Sequence, residues 1–272
     1  MSSMNVTKAI IPVAGWGSRW LPLTKAIEKC MLPIGNRPLI DYIVEDCLKA
    51  GIDEFIFVVS EQSVQLEAYY RSNIHLNDYL RRNGKEALLP LVAPIRAKMH
   101  FVTQPSYGKY GTAVPVALAA DFIDEGESAV VLMGDDFIYN KDGSSEVARL
   151  IAATPEGQCG LMAKRVGADE ISKYGVIRMD EQGNYQEIVE KPALEDAPSD
   201  MASIGKYVMT KEVIEMCADV EKSPRGEYEL PDAINVLVAK GGVVKVVPAV
   251  GQHLDGGTPE SWLHANNVVC GA

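Results

Sequence analysis

Short apolar runs alternate with longer amphipathic stretches along the first half of the chain. The runs KAIIPVA (8–14), FIFVVS (55–60), MHFVTQ (99–104) and SAVVLMGDD (128–136) are β-branched or apolar and short, which predicts buried strands. Between the first two, PLIDYIVEDCLKAG carries Leu39, Ile40, Ile43, Val44, Cys47 and Leu48 at helical spacing and stops at Gly51, a C-cap glycine. GTAVPVALAADFI (111–123) is an Ala-rich second helix with Pro115 in its first turn, where a missing N–H costs little. This alternation predicts an α/β fold: a mixed, mostly parallel central sheet with helices on both faces. Ligands of such sheets collect at the carboxyl ends of the strands.

The second half is patterned less regularly. YGVIRMDEQGNYQEIVEKP (174–192) alternates on both sides of a Gly-Asn turn and predicts a small added β-hairpin. ASIGKYVMT reads as a further strand and LPDAINVLVAKGG as a helix with a glycine stop. TPESWLHANNVV reads as a C-terminal helix with Thr258 as N-cap, Pro259 at the first position and Glu260 in the first turn. No repeat, low-complexity tract or linker divides the sequence, so a single domain over 1–272 is expected.

Composition narrows the classes of partner. With 272 residues, of which 47% are hydrophobic, the chain can bury a full core. A formal net charge of -11 argues against a nucleic-acid binder, which needs a basic surface, so phosphate chemistry must rely on a few clustered cations. The five cysteines, Cys30, Cys47, Cys159, Cys217 and Cys270, are scattered without CxxC spacing, which indicates neither a disulfide framework nor a zinc cage. No apolar run reaches membrane-spanning length and MSSMNVTKAIIP lacks a signal-peptide pattern, so a cytoplasmic protein with reduced thiols is expected.

Candidate chemistry concentrates in VAGWGSRWLPLTKAIEKCMLP (13–33). Gly15 and Gly17 follow a strand and allow backbone N–H groups to approach a ligand, although a glycine pair there is equally an ordinary tight turn. The segment lacks the third glycine of a dinucleotide fingerprint, whose place is Trp20, and the Gly-Lys-Ser/Thr of a P-loop. Its cations set it apart. Arg19 can bind phosphate bidentately, and Lys25 and Lys29 add point charges. Two acidic positions bear on the same anion: Asp135, with Asp136, at the end of VVLMGDD, and Asp255 in QHLDGGTPE. Asp135 and Asp255 meeting across a cleft would suffice for magnesium, and each is also an ordinary turn residue.

Taken in order, GWGSRWLPLTKAIEKCMLPIGNRPLIDY, GTAVPVALA, VLMGDD, YGVI, VEKP, GKYV, GEYELPDAI and LDGGTPE resemble the motifs of the sugar-1-phosphate nucleotidyltransferases. PVAG with LPLTKAIEKCMLP is most similar to the UTP:glucose-1-phosphate uridylyltransferase branch. The resemblance implies a Rossmann-like fold, with a nucleotide-binding half over about 1–140 and a sugar-phosphate half over about 141–272. It implies transfer of a uridylyl group from UTP to glucose 1-phosphate with Mg2+, in a homo-oligomer (a dimer or tetramer) with small-molecule substrates and no nucleic-acid or membrane partner. A thymidylyltransferase, or a uridylyltransferase for another hexose 1-phosphate, is the alternative, and a catalytically silent nucleotide-sugar sensor is a further one. By the same resemblance Ala14, Gly15 and Gly17 hold the nucleotide, and Arg19 and Lys29 the triphosphate. Lys25 matches the additional lysine of this branch. Gln104 reads the pyrimidine, Gly111 passes close to the base, Asp136 joins the nucleotide site, and Asp135 and Asp255 are metal ligands. Gly175, Glu190 and Lys191 match the residues that hold the hexose and its phosphate. The segment departs from the family at Glu28, usually Pro, and at Cys30, usually Glu.

Overall fold

Strand β1 (Lys8–Pro12) lies at the centre of the molecule because nothing in its middle competes for water: Ala9, Ile10 and Ile11 are fully buried. The computed structural model describes residues 6–271. After β1 come two short strands, β2 (Pro33–Ile34) and β3 (Arg37–Pro38), and helix α1 (Leu39–Lys49). Strand β4 (Glu54–Ser60), helices α2 (Gln65–Tyr70) and α3 (Ile74–Arg82), strand β5 (Lys98–Gln104), helix α4 (Ala113–Leu118) and strand β6 (Ser128–Leu132) follow. Next are β7 (Asp136–Tyr139), α5 (Glu146–Ala153), β8 (Cys159–Arg165), and the hairpin β9 (Gly175–Met179) and β10 (Tyr185–Glu190). The chain then forms β11 (Met201–Thr210), α6 (Lys211–Met216), α7 (Leu230–Ala239), β12 (Val244–Pro248), β13 (Gln252–Asp255) and α8 (Pro259–Cys270).

Nine strands form one mixed sheet in the order β10-β9-β11-β6-β1-β4-β5, with β8 pairing β11 and β12 pairing β8. The row β6-β1-β4-β5 is parallel throughout, as buried runs joined by helical crossovers require. Strand β11 enters antiparallel to β6, β8 and β9, so both halves of the chain share the sheet. Apolar side chains of α1, α2, α5 and α8 cover one face, and those of α4, α6 and α7 cover the other.

Two boundaries differ from the sequence reading. The run 128–136 is not one strand: β6 stops at Leu132 and Met133–Asp135 leave the sheet. The chain then resumes as β7, antiparallel to β13 with Asp136 opposite Asp255. Gly134 makes the departure possible by packing against the end of β1, its N–H donating to Pro12 O at 3.3 Å. The helix read over 111–123 ends at Leu118 and continues only as a single turn over Ala120–Phe122. Among the described residues no helix is long and apolar enough to cross a membrane.

Candidate active site

The loop after β1 is folded back by three single helical turns, Ser18–Trp20, Leu23–Lys25 and Lys29–Met31. Gly17 takes left-handed backbone angles (φ 60°, ψ 40°), which favour glycine. Its carbonyl accepts hydrogen bonds from Trp20 N (2.8 Å) and Thr24 Oγ1 (2.9 Å), so Gly17 braces the loop from behind. In front, a cleft of about 300 Å³ opens at the carboxyl ends of β1 and β6. Ala14, Gly15, Arg19, Lys29, Gln104, Gly111 and Asp135 all line it, together with Cys30, Tyr110 and Glu227. Lys25 instead lines an adjoining groove with Trp16, Pro22 and Glu28, which shares Ala14, Gly15 and Lys29 with the cleft.

Lys29 Nζ pairs with Asp135 Oδ2 at 2.5 Å, which places a cation and a carboxylate together at the cleft wall. Asp255 stands beside them: Gly256 N donates to Asp135 O at 2.9 Å and Gly257 N to Asp255 Oδ1 at 2.6 Å. Burial raises the Asp255 carboxyl above the ordinary carboxylate range, the Gly257 N–H opposes this, and the charges of Asp135 and Asp136 raise it further. Two neighbouring carboxylates, that of Asp255 held by a single backbone N–H, are a donor set that fits a divalent cation bound through oxygen.

Asp136 is a correction. It does not line the cleft but turns inward, where its carboxylate pairs with Lys206 Nζ and with His253 Nε2 (2.8 Å), and Lys206 Nζ also donates to Asp136 O at 3.2 Å. Burial disfavours the charge, but Lys206 and then His253 outweigh it and hold the carboxyl down at about 2. Asp136 therefore ties β7 and β13 to β11. His100 near the amino-terminal end of β5 pairs at 2.8 Å with Glu54, the first residue of β4, away from the cleft.

The far wall of the cleft is zipped to the second half of the chain. Tyr228 N donates to Tyr110 O (2.9 Å), Ala113 N to Tyr228 O (3.0 Å), and Leu230 N to Thr112 Oγ1 (2.9 Å). Gly111 passes so close that a Cβ there would lie 2.2 Å from Tyr228 O, and its φ of +139° adds to the demand for glycine. The same loop carries Arg225, which sequence reasoning missed. Its guanidinium donates to Glu190 Oε1 at 3.0 Å and pairs with Glu229. Gly175 faces Glu190 in the β9–β10 register, and a side chain at 175 would strike Glu190 Oε2. Lys191 follows with φ 49°, the one non-glycine residue with positive φ among those described, and its N–H donates to Tyr174 O at 3.0 Å. Gly175, Glu190 and Lys191 thus gather on one hairpin, next to the cleft wall rather than in it.

Both departures from the family pattern acquire a physical place. The Glu28 carboxylate accepts from Val64 N (2.7 Å), Gln65 N (2.6 Å) and Ser63 Oγ (2.6 Å), capping the start of α2. Gln65 Oε1 answers by accepting Glu28 N at 2.9 Å. Glu28→Ala is expected to lower stability by about 1–2 kcal/mol, the range of a lost helix cap, measured by thermal unfolding; an unchanged midpoint would remove the cap from the loop's support. Cys30 is 3% exposed and its thiol is pushed up to about 12, chiefly by burial and next by Glu28, so it packs and does not act as a nucleophile.

The sequence matches the Nucleotidyl transferase family over residues 8–271. It is 32% identical over 267 residues to a UTP–glucose-1-phosphate uridylyltransferase of Pseudomonas aeruginosa, covering 96% of this chain and 95% of the relative. Its fold is similar to the crystal structure of a UDP-glucose pyrophosphorylase complexed with UDP-glucose (TM-score 0.83, 29% identity, 98% of this chain and 99% of the other). It is likewise similar to a UTP-bound UGPase from Acinetobacter baumannii (TM-score 0.87, 26% identity, 97% and 93%).

Proposed function

The chain belongs to the nucleotidyl transferase family, and we propose that it makes UDP-glucose and pyrophosphate from UTP and α-D-glucose 1-phosphate. The observation that carries this reading is the meeting of Arg19, Lys29 and Asp135 on one cleft wall with Gln104 and Gly111, and of Asp255 beside Asp135. A relative named for this reaction aligns over nearly the whole chain, and a UDP-glucose complex shares the fold, which supports the same substrates here.

A phosphate oxygen of the sugar phosphate attacks the α-phosphorus in line, one P–O bond forms, and the bond to the β-phosphate breaks to release pyrophosphate. Both reactants are anions, so positioning and charge neutralisation carry the catalysis, and no protein nucleophile is needed. The open backbone at Ala14–Gly15 admits the triphosphate, and Arg19 and Lys29 stabilise charge on the leaving pyrophosphate. Gln104 orients the base against Gly111. Lys191 holds the sugar phosphate and Glu190, steadied by Arg225, the hexose hydroxyls. Asp135 and Asp255 would hold Mg2+, which when bound would supply Lewis-acid polarisation of the phosphoryl oxygens.

The direct test is pyrophosphate release with glucose 1-phosphate and magnesium, run in parallel with UTP, dTTP, CTP, ATP and GTP. UTP is expected to exceed the others at least tenfold. Preference for dTTP would reassign the enzyme to thymidylyl transfer, and no release with any nucleotide would overturn the proposal for this sugar. Within it, Lys191→Ala is expected to raise KM for glucose 1-phosphate by about 10-fold or more while leaving KM for UTP within about threefold. Equal rises for both substrates in initial-rate kinetics would remove Lys191 from the sugar-phosphate site.

A further inference from the structure

One residue, Gly256, joins three segments of the site through the two peptide units that flank it. Gly256 N donates to Asp135 O at 2.9 Å, and Gly256 O accepts the indole Nε1–H of Trp20 at 2.9 Å in a buried bond. The residue has no room to drift: Gly256 is buried, and a Cβ on it would lie 2.3 Å from Leu39 Cδ1 of α1. On either side of it stand Asp255 and Gly257, whose own N–H binds the Asp255 carboxylate. Trp20 in turn neighbours Arg19, and its backbone N–H is fixed to Gly17 O at 2.8 Å. The residue is 9% exposed, and its ring packs edge-on against Trp262, with centroids 5.8 Å apart.

We propose that Trp20 is a positioning residue that fixes the phosphate loop and the carboxylate loop in one frame, so that the cation at Asp135 and Asp255 and the phosphates at Arg19 keep a constant separation. The proposal rests on the reading of those two carboxylates as the metal ligands. Any large apolar side chain could fill the space against Trp262. An indole also supplies an N–H to a buried carbonyl that otherwise pays desolvation for lack of a partner. Groups standing behind metal ligands in this way set ligand orientation, and their removal weakens metal binding by about 10–100-fold.

The test uses Mn2+ binding to the full chain, followed by the loss of the free-ion electron paramagnetic resonance signal in the presence of UDP-glucose. Trp20→Phe keeps an aromatic ring against Trp262 and deletes only the donor. Trp262→Phe is the matched control, because it deletes the other indole donor of the pair, which reaches Pro33 O at 2.8 Å and not the carboxylate loop. Trp20→Phe is expected to weaken Mn2+ binding by about 10–100-fold, and Trp262→Phe to stay within about twofold of wild type. The Mg2+ concentration for half-maximal pyrophosphate release should rise in parallel, while kcat at saturating Mg2+ recovers. Should Trp20→Phe fail to fold, 3-benzothienylalanine at position 20, with sulfur in place of the N–H, tests the same bond in an unchanged shape. Mn2+ affinity equal to wild type in either Trp20 variant, or an equal loss in Trp262→Phe, overturns the role of Trp20. Failure of the wild-type chain to bind Mn2+ overturns the metal reading on which it stands.

Discussion

Asp255→Asn is expected to lower kcat by on the order of 10³-fold or more while leaving the fold intact. The amide oxygen can still accept the Gly257 N–H that now reaches Asp255 Oδ1, so the turn after β13 keeps its geometry. What is lost is a negative charge beside Asp135, the feature that fits a divalent cation. The loss should not destabilise the chain without metal. Burial and the neighbouring charges of Asp135 and Asp136 raise the Asp255 carboxyl above its ordinary range. A group whose pKa is raised by folding favours the native state below its unfolded pKa and forfeits that advantage as pH rises through the folded value. An ionised Asp255 is therefore a burden that asparagine removes, and thermal unfolding at neutral pH in EDTA should give a midpoint equal to or above that of wild type. Turnover within tenfold of wild type would take Asp255 out of the metal site. A lowered midpoint would instead make its carboxylate a structural element.

How much of this could be read before any coordinates depends on the range of the contacts involved. Strand β1 was legible because every residue in its middle is apolar, and the β9–β10 hairpin because alternation breaks at one Gly-Asn turn. The run 128–136 was misread for a physical reason: an apolar stretch says that it is buried and not which strand it pairs with. Met133–Asp135 cross from the central sheet to the β7–β13 pair inside that one run. The cations of the opening loop were visible as chemistry, yet only folding puts Arg19 in the cleft, Lys25 in the adjoining groove and Lys29 on the wall the two share. Gln104, Gly111, Gly175, Glu190 and Lys191 carry no local pattern that marks a site, and only the resemblance to a family singled them out. Arg225 escaped because its partner, Glu190, lies 35 positions away. Asp136 was placed with its neighbour Asp135 because nothing local distinguishes two adjacent aspartates. What separates them is Lys206, 70 positions distant, and His253, 117 positions distant.

That distinction carries the second large expected effect. Lys206→Met is expected to destabilise the protein by about 3–5 kcal/mol, because the thioether fills the volume of the lysine stem but leaves the buried Asp136 charge with His253 alone. For a chain of this size the unfolding midpoint should fall by roughly 10 °C. The pH dependence has a definite sign. Asp136 is held at about 2 in the fold, below its ordinary 3.8, so its contribution is present above pH 4 and lost as pH falls toward 2. Without Lys206 that loss moves to higher pH, and acid unfolding should begin earlier. The double variant Lys206→Met/Asp136→Asn decides the cause. If the penalty is an uncompensated buried charge, removing the charge restores most of the stability; if the double variant is no better than the single, the lysine acts through packing. Asp136→Asn alone should leave KM for UTP unchanged, since the side chain points away from the cleft, and a raised KM would return Asp136 to the nucleotide site. An unchanged KM would leave the two aspartates dividing the work of one dipeptide: Asp135 lines the cleft while Asp136 is pinned to β11 behind it.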